Sequence, residues 1–100
     1  MSEHPGQILR EYFLEPLGIT MYRLSKETGL TGPHVHAIVN GTRAVTAATA
    51  LRLGRYFGVP ADFWMGIQVK YDLHFTQEKI KVDLDKIVPL KPMETTERVG

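Results

Sequence analysis

The sequence contains no cysteine, one tryptophan and only two serines, Ser2 and Ser25. Without cysteine there is no disulfide framework, no thiolate zinc site and no cysteine nucleophile, so metal or redox chemistry would rest on four histidines and the carboxylates. Ser25 lies between Leu24 and Lys26 rather than in a Gly-x-Ser-x-Gly turn, and no His-Glu-x-x-His motif accompanies it. The glycines Gly29, Gly41 and Gly58 fit neither Gly-x-Gly-x-x-Gly nor a P-loop, so they are expected to be helix stops. No enzyme and no cofactor are expected. No apolar run of about 18 residues occurs, and Met1 to Gly6 lack the basic and apolar regions of a secretion signal. The expected address is the cytoplasm, without a membrane.

What is present is 100 residues, 43% of them hydrophobic, with a formal net charge of +1. That length accommodates one domain with one core. The near-neutral total conceals an asymmetry. Between Thr20 and Gly58 stand Arg23, Lys26, Arg43, Arg52 and Arg55 against Glu27 alone, a balance of +4, while the remainder carries −3. A cationic middle suits contact with phosphate, and the acidic remainder suits a different neighbour.

Periodicity and punctuation predict five short helices joined by two to six residues, an all-α fold. Pro5 opens the first, whose Ile8, Leu9, Tyr12 and Phe13 form one apolar stripe before Pro16 and Gly18. Thr20 caps the second, with Leu24 inward and Gly29 past its end. Thr31 caps the third, with Pro33 in its first turn and Asn40-Gly41 as its stop. Thr46 caps the fourth, Ala47 to Phe57, whose Ala50, Leu51, Leu53, Tyr56 and Phe57 are expected to be mostly buried. The fifth follows Pro60 to about Phe75. The domain is expected to occupy residues 1–76, with 77–100 as an extension. There Ile80, Val82 and Leu84 alternate with Lys81, Asp83 and Asp85, the pattern of a half-buried strand that a second copy of the chain would have to pair. The alternative is a weakly patterned tail. Pro89, Pro92 and Met93 to Gly100 are expected to be frayed.

Thr20 to Gly41 has the plan of a helix-turn-helix: a capped helix, a glycine turn and a second capped helix, with Leu24, Leu30, Val35 and Ile38 placed to lock the two together. At about 100° per residue, Val35, Ile38 and Val39 share the inner face of the third helix. Asn40, Pro33 and Ala37 then lie opposite, with His36 and His34 on the flanks, and these five are the expected groove-facing set. His34 and His36 diverge by about 160°, too far to share a metal ion.

Three stretches resemble the HigA-type antitoxins, which are lambda-repressor-like helix-turn-helix proteins also described as plasmid-maintenance antidotes. They are HPGQILREYFLEPLGIT from His4, YRLSKETGL from Tyr22, and IVNGTRAVTAATALRLGRYFGVPADFW from Ile38 to Trp64. The likeness spans about three quarters of the chain, and its most specific pieces are the HPG opening and the block from Asn40 to Gly58. It implies a transcriptional repressor that binds its operator DNA as a homodimer and neutralises a HigB-type mRNA-cleaving toxin. A stand-alone repressor with the same DNA face but no toxin is the competing reading. Carried over by position, the DNA-facing segment comprises Met21, Tyr22, Thr31, Gly32, Pro33, His34, His36, Ala37, Asn40, Thr42 and Arg43.

Several of these depart from the family pattern. Many relatives have Gln where Met21 stands, and polar or basic residues where Gly32 and Pro33 stand, so direct base readout loses bidentate donors here. Base preference then rests on His36, Asn40, the apolar contacts of Ala37 and Pro33, and DNA shape. Arg43 is the leading phosphate contact, followed by Arg23, Lys26 and the helix starts at Thr20, Thr31 and Thr46. Arg52 and Arg55 are equally well placed to be structural, paired with Glu11, Glu15 or Asp62. The apolar residues of the fifth helix and of Ile80 to Leu84 are the expected dimer interface. The acidic first helix (Glu3, Glu11, Glu15) is the expected match for a basic ribonuclease.

Overall fold

A computed structural model describes residues 3–91, and within them the chain is all helical, with six helices and no strand. Helix α1 spans 5–17, α2 is Met21–Thr28, α3 Gly32–Val39, α4 Ala47–Phe57, α5 Ala61–Lys79 and α6 Lys81–Asp85. Local chemistry accounts for the boundaries. Pro5 occupies the first turn of α1, and His4 caps it by accepting the Gly6 N–H on Nδ1 at 2.9 Å. Thr20 and Thr31 cap α2 and α3, their hydroxyls accepting from Arg23 N at 3.0 Å and His34 N at 3.2 Å. Mid-way, α1 widens into a π-helical segment, Leu9–Leu14, in which the Glu15 N–H reaches back to the Arg10 carbonyl. The widened turn precedes Pro16, which has no N–H to give to the turn behind it.

The core gathers Leu9 and Leu14 of α1, Leu24 of α2, Leu30 of the turn, Val35 and Ile38 of α3, Val45, Ala50 and Leu53 around α4, and Trp64 of α5. Trp64 is fully buried, with Phe13 at 5.0 Å and Phe63 at 5.1 Å between ring centroids. The inner face expected for α3 is present, with Val35 and Ile38 buried and Val39 half-buried.

Four expectations are corrected. Residues Ile80 to Leu84 do not form a strand: they enter α6, where the Leu84 N–H donates to the Ile80 carbonyl at 2.9 Å and Lys81 meets Asp85 at 3.4 Å. A lone strand leaves its backbone groups unpaired, whereas a helical turn satisfies them within the segment. Helix α5 continues to Lys79, past its expected end at about Phe75. Leu51 is 64% exposed, because the buried face of α4 is formed by Ala50, Leu53 and Gly54 instead. The connection from α3 to α4 fills residues 40–46, one residue longer than expected. The expected fraying of 92–100 lies outside the described residues. No helix among the described residues is long and apolar enough to cross a membrane.

Candidate nucleic-acid interface

The turn between α2 and α3 is built around Gly29, which sits at φ 82. A side chain is disfavoured there by the backbone, and also by Arg52, whose Nη1 lies 2.7 Å from where a Cβ would be. That guanidinium donates to the Thr28 carbonyl at 2.7 Å, placing a cation on the C-terminal end of α2. Ser25 Oγ donates to the Leu30 carbonyl at 2.6 Å and closes the turn from the other side. The angle between the two helices is thus set by Leu24, Leu30 and Val35 inside and by Arg52 and Ser25 at the edge.

Nine of the eleven residues predicted for the DNA face are exposed: Met21, Tyr22, Thr31, Gly32, Pro33, His36, Asn40, Thr42 and Arg43. His34 and Ala37 are half-buried. His34 turns toward α4, with its Nε2 3.3 Å from Oγ1 of the buried Thr49. His36 and Asn40 stand one turn apart, with Asn40 Nδ2 at 3.0 Å from His36 Nδ1, and they form one outward-facing polar unit. Thr42 is committed to the helix end, its hydroxyl donating to the Ala37 carbonyl at 3.2 Å.

The cations divide by role. Arg23 Nε pairs with Glu27 at 3.2 Å, and Tyr56 also donates to that carboxylate, which lowers the Glu27 pKa. Lys26 lies over the Tyr22 ring at 5.4 Å. Arg52 is structural, though its partner is the Thr28 carbonyl rather than Glu11, Glu15 or Asp62. Arg43 is exposed and has no carboxylate within ion-pair distance among the described residues.

The helix starts are unequal too. Pro33 removes one N–H from the first turn of α3 and Thr31 occupies that of His34, so α3 has little left for a phosphate. Thr46 makes no side-chain cap, which leaves the first amides of α4 without that acceptor.

Sequence reasoning missed two residues that hold the 40–46 connection. Gln68 of α5 is buried and accepts the Val45 N–H on Oε1 at 2.7 Å, while its Nε2 donates to Asp72 at 2.9 Å. His4 packs its ring beside Gly41 and edge-on to Tyr71, 4.9 Å between centroids. Partners this distant in sequence leave no local pattern to read.

His4 and His34 both have pKa values below the ordinary 6.5, His4 through burial, and His34 through burial and then the nearby charges of Arg43 and Arg52. A depressed folded-state value means that the unfolded chain takes up these protons first. Stability is therefore retained above pH 6.5 and lost as the pH falls from there through the folded-state values. Denaturant midpoints at pH 7.5 and pH 5.5 should show the loss, and His34→Gln should reduce it; a midpoint that does not fall would contradict this assignment.

A helix-turn-helix family model matches residues 9–64. Virulence-associated protein I of Dichelobacter nodosus is 41% identical over 87% of this chain and 80% of its own length. Antitoxin HigA-1 of Vibrio cholerae is 33% identical over 85% of this chain and 80% of its own. Among solved structures, the Pseudomonas aeruginosa antitoxin HigA with the higBA promoter superposes with a TM-score of 0.87 at 36% identity, covering 91% of this chain and 100% of that one.

Proposed function

The chain belongs to the HigA-type helix-turn-helix family, and from that premise we propose that it is an antitoxin that binds the operator of its own operon as a dimer and neutralises a HigB-type toxin. The observation that carries the DNA half is the exit of α3, where exposed His36 on the helix and exposed Asn40 and Arg43 just past its end follow an inner face locked into the core. His36 and Asn40 read base edges, with Asn40 suited to adenine. Ala37 and Pro33 supply apolar contact, Met21 and Tyr22 flank the groove from α2, and Arg43 and the α4 N-terminus hold phosphates. The similarity to a HigA structure solved with its promoter supports this reading.

In the dimer, α5 and the segment from Ile80 to Leu84 supply the interface. Val69, Leu73 and Phe75 on α5 and Val82 on α6 are all exposed in one copy, and a two-fold operator calls for a two-fold protein. The acidic first helix fits a basic toxin less well than its composition suggested. Arg10 lies 3.5 Å from Glu11 and 3.3 Å from Glu15, so part of that charge is already compensated.

Co-expression with the product of the neighbouring reading frame tests the toxin half: growth arrest by that product alone, relieved by this chain, is the expected result. An adjacent frame whose product is harmless, beside intact operator binding, would leave a stand-alone repressor. For the DNA half, Arg43→Ala should reduce the slope of log affinity against log salt by about one phosphate equivalent and weaken all duplexes alike. An unchanged slope would remove Arg43 from the interface.

A further inference from the structure

The His-Pro-Gly opening of the chain lies far in sequence from the helix-turn-helix, yet it meets the end of the recognition helix. Gly6 is buried against the C-terminal turn of α3: a Cβ on it would overlap the Ile38 carbonyl oxygen and come within 3.1 Å of the Val39 Cα. Two residues earlier, His4 accepts the Gly6 N–H on Nδ1, so the proton of the neutral ring sits on Nε2. The ring borders Gly41, with 3.7 Å between its Cγ and the place where a Cβ on that glycine would stand. It abuts Tyr71 edge-on, with 4.9 Å between centroids, and Gly41 stands two residues before Arg43 in the loop. Asp72 is held by Gln68, which also accepts from Val45. The connection from α3 to α4 is therefore held at Gly41 by His4 at the start of α1, and at Val45 by Gln68 of α5.

We infer that His4 is a positioning residue for operator binding: it fixes the loop that carries Arg43, so that the guanidinium meets phosphate from a preset place while His36 and Asn40 enter the groove. This rests on the DNA-binding reading above. Burial favours the neutral ring, the form able to accept from Gly6 on Nδ1 while packing against Gly41. Without that grip, Arg43 would have to be ordered at the moment of binding, and the lost freedom would weaken the complex.

His4→Asn separates this role from helix capping, since asparagine is a good N-cap but is too short to replace the ring against Gly41. In the full-length chain the thermal midpoint should stay within about 5 °C of the wild type. Amide exchange at Thr42 and Val45, whose N–H groups donate to the Ala37 carbonyl and to Gln68, should accelerate about tenfold, while the interior of α5 is unaffected. Operator affinity should fall about tenfold, and Arg43→Ala should then cost much less than it does in the wild type, because the two changes remove one coupled contact. Unchanged exchange in the loop, or effects of the two substitutions that simply add, would overturn the inference. Should the wild-type chain bind no operator, the functional reading falls while the exchange measurement still decides whether His4 orders the loop.

Discussion

Replacing Trp64 with alanine is expected to destabilise the fold by about 3–5 kcal/mol, the range for deleting a large buried aromatic side chain. Trp64 is wholly inaccessible and joins α5 to α1 through Phe13 and to α4 through Phe57, with Phe63 packed beside it on α5. In a domain of this size about 1 kcal/mol shifts the thermal midpoint by about 4–8 °C, so the midpoint should fall by roughly 20 °C or more. Trp64→Phe should cost far less. It keeps most of the packing and removes the indole N–H, which has no hydrogen-bond partner among the described residues. Scanning calorimetry of both variants checks the assignment, and a Trp64→Ala midpoint within a few degrees of wild type would mean that the core closes without α5.

The second large effect is expected on DNA. Leu73→Glu places a charge in the proposed dimer interface at a position that is 64% exposed in one copy, so the monomer should keep its fold. A dimer seats its second recognition helix at high effective concentration, and losing that linkage should reduce operator affinity by about 10²–10⁴. Sedimentation should report monomers over the concentration range where the wild type is dimeric. A variant that stays dimeric and binds the operator normally would place the interface elsewhere.

Most of the helical plan could be read from residues that act locally. Pro5, Thr20, Thr31, Gly29 and Gly58 mark ends through their own backbone chemistry, and each stands at the end it predicts. The segment from Ile80 to Leu84 misled because three alternating apolar residues also fit a single helical turn with exposed sides, and all three are exposed. The outward positions of His36 and Asn40 followed from the helical period, while that of Arg43 came from the family resemblance. The placement of His34 did not: its neighbour, Thr49, is fifteen residues away on α4. Arg52 shows the same limit. Its charge counted toward a phosphate-binding surface, yet in three dimensions it caps α2 across a separation of twenty-four residues.

The division of charge is altered accordingly. Of the five cations between Thr20 and Gly58, Arg23 is paired with Glu27 and Arg52 is spent on the Thr28 carbonyl. Arg43, beside the exit of α3 and without a carboxylate partner among the described residues, is the cation proposed for phosphate contact.

The most direct test is a salt titration of affinity for a duplex taken from upstream of the chain's own reading frame, run beside a scrambled duplex of equal length. The account predicts tighter binding to the upstream duplex at every salt concentration, with log affinity falling linearly against log salt at about 0.9 per phosphate neutralised. Equal affinity for the two duplexes, or a flat salt dependence, would contradict it.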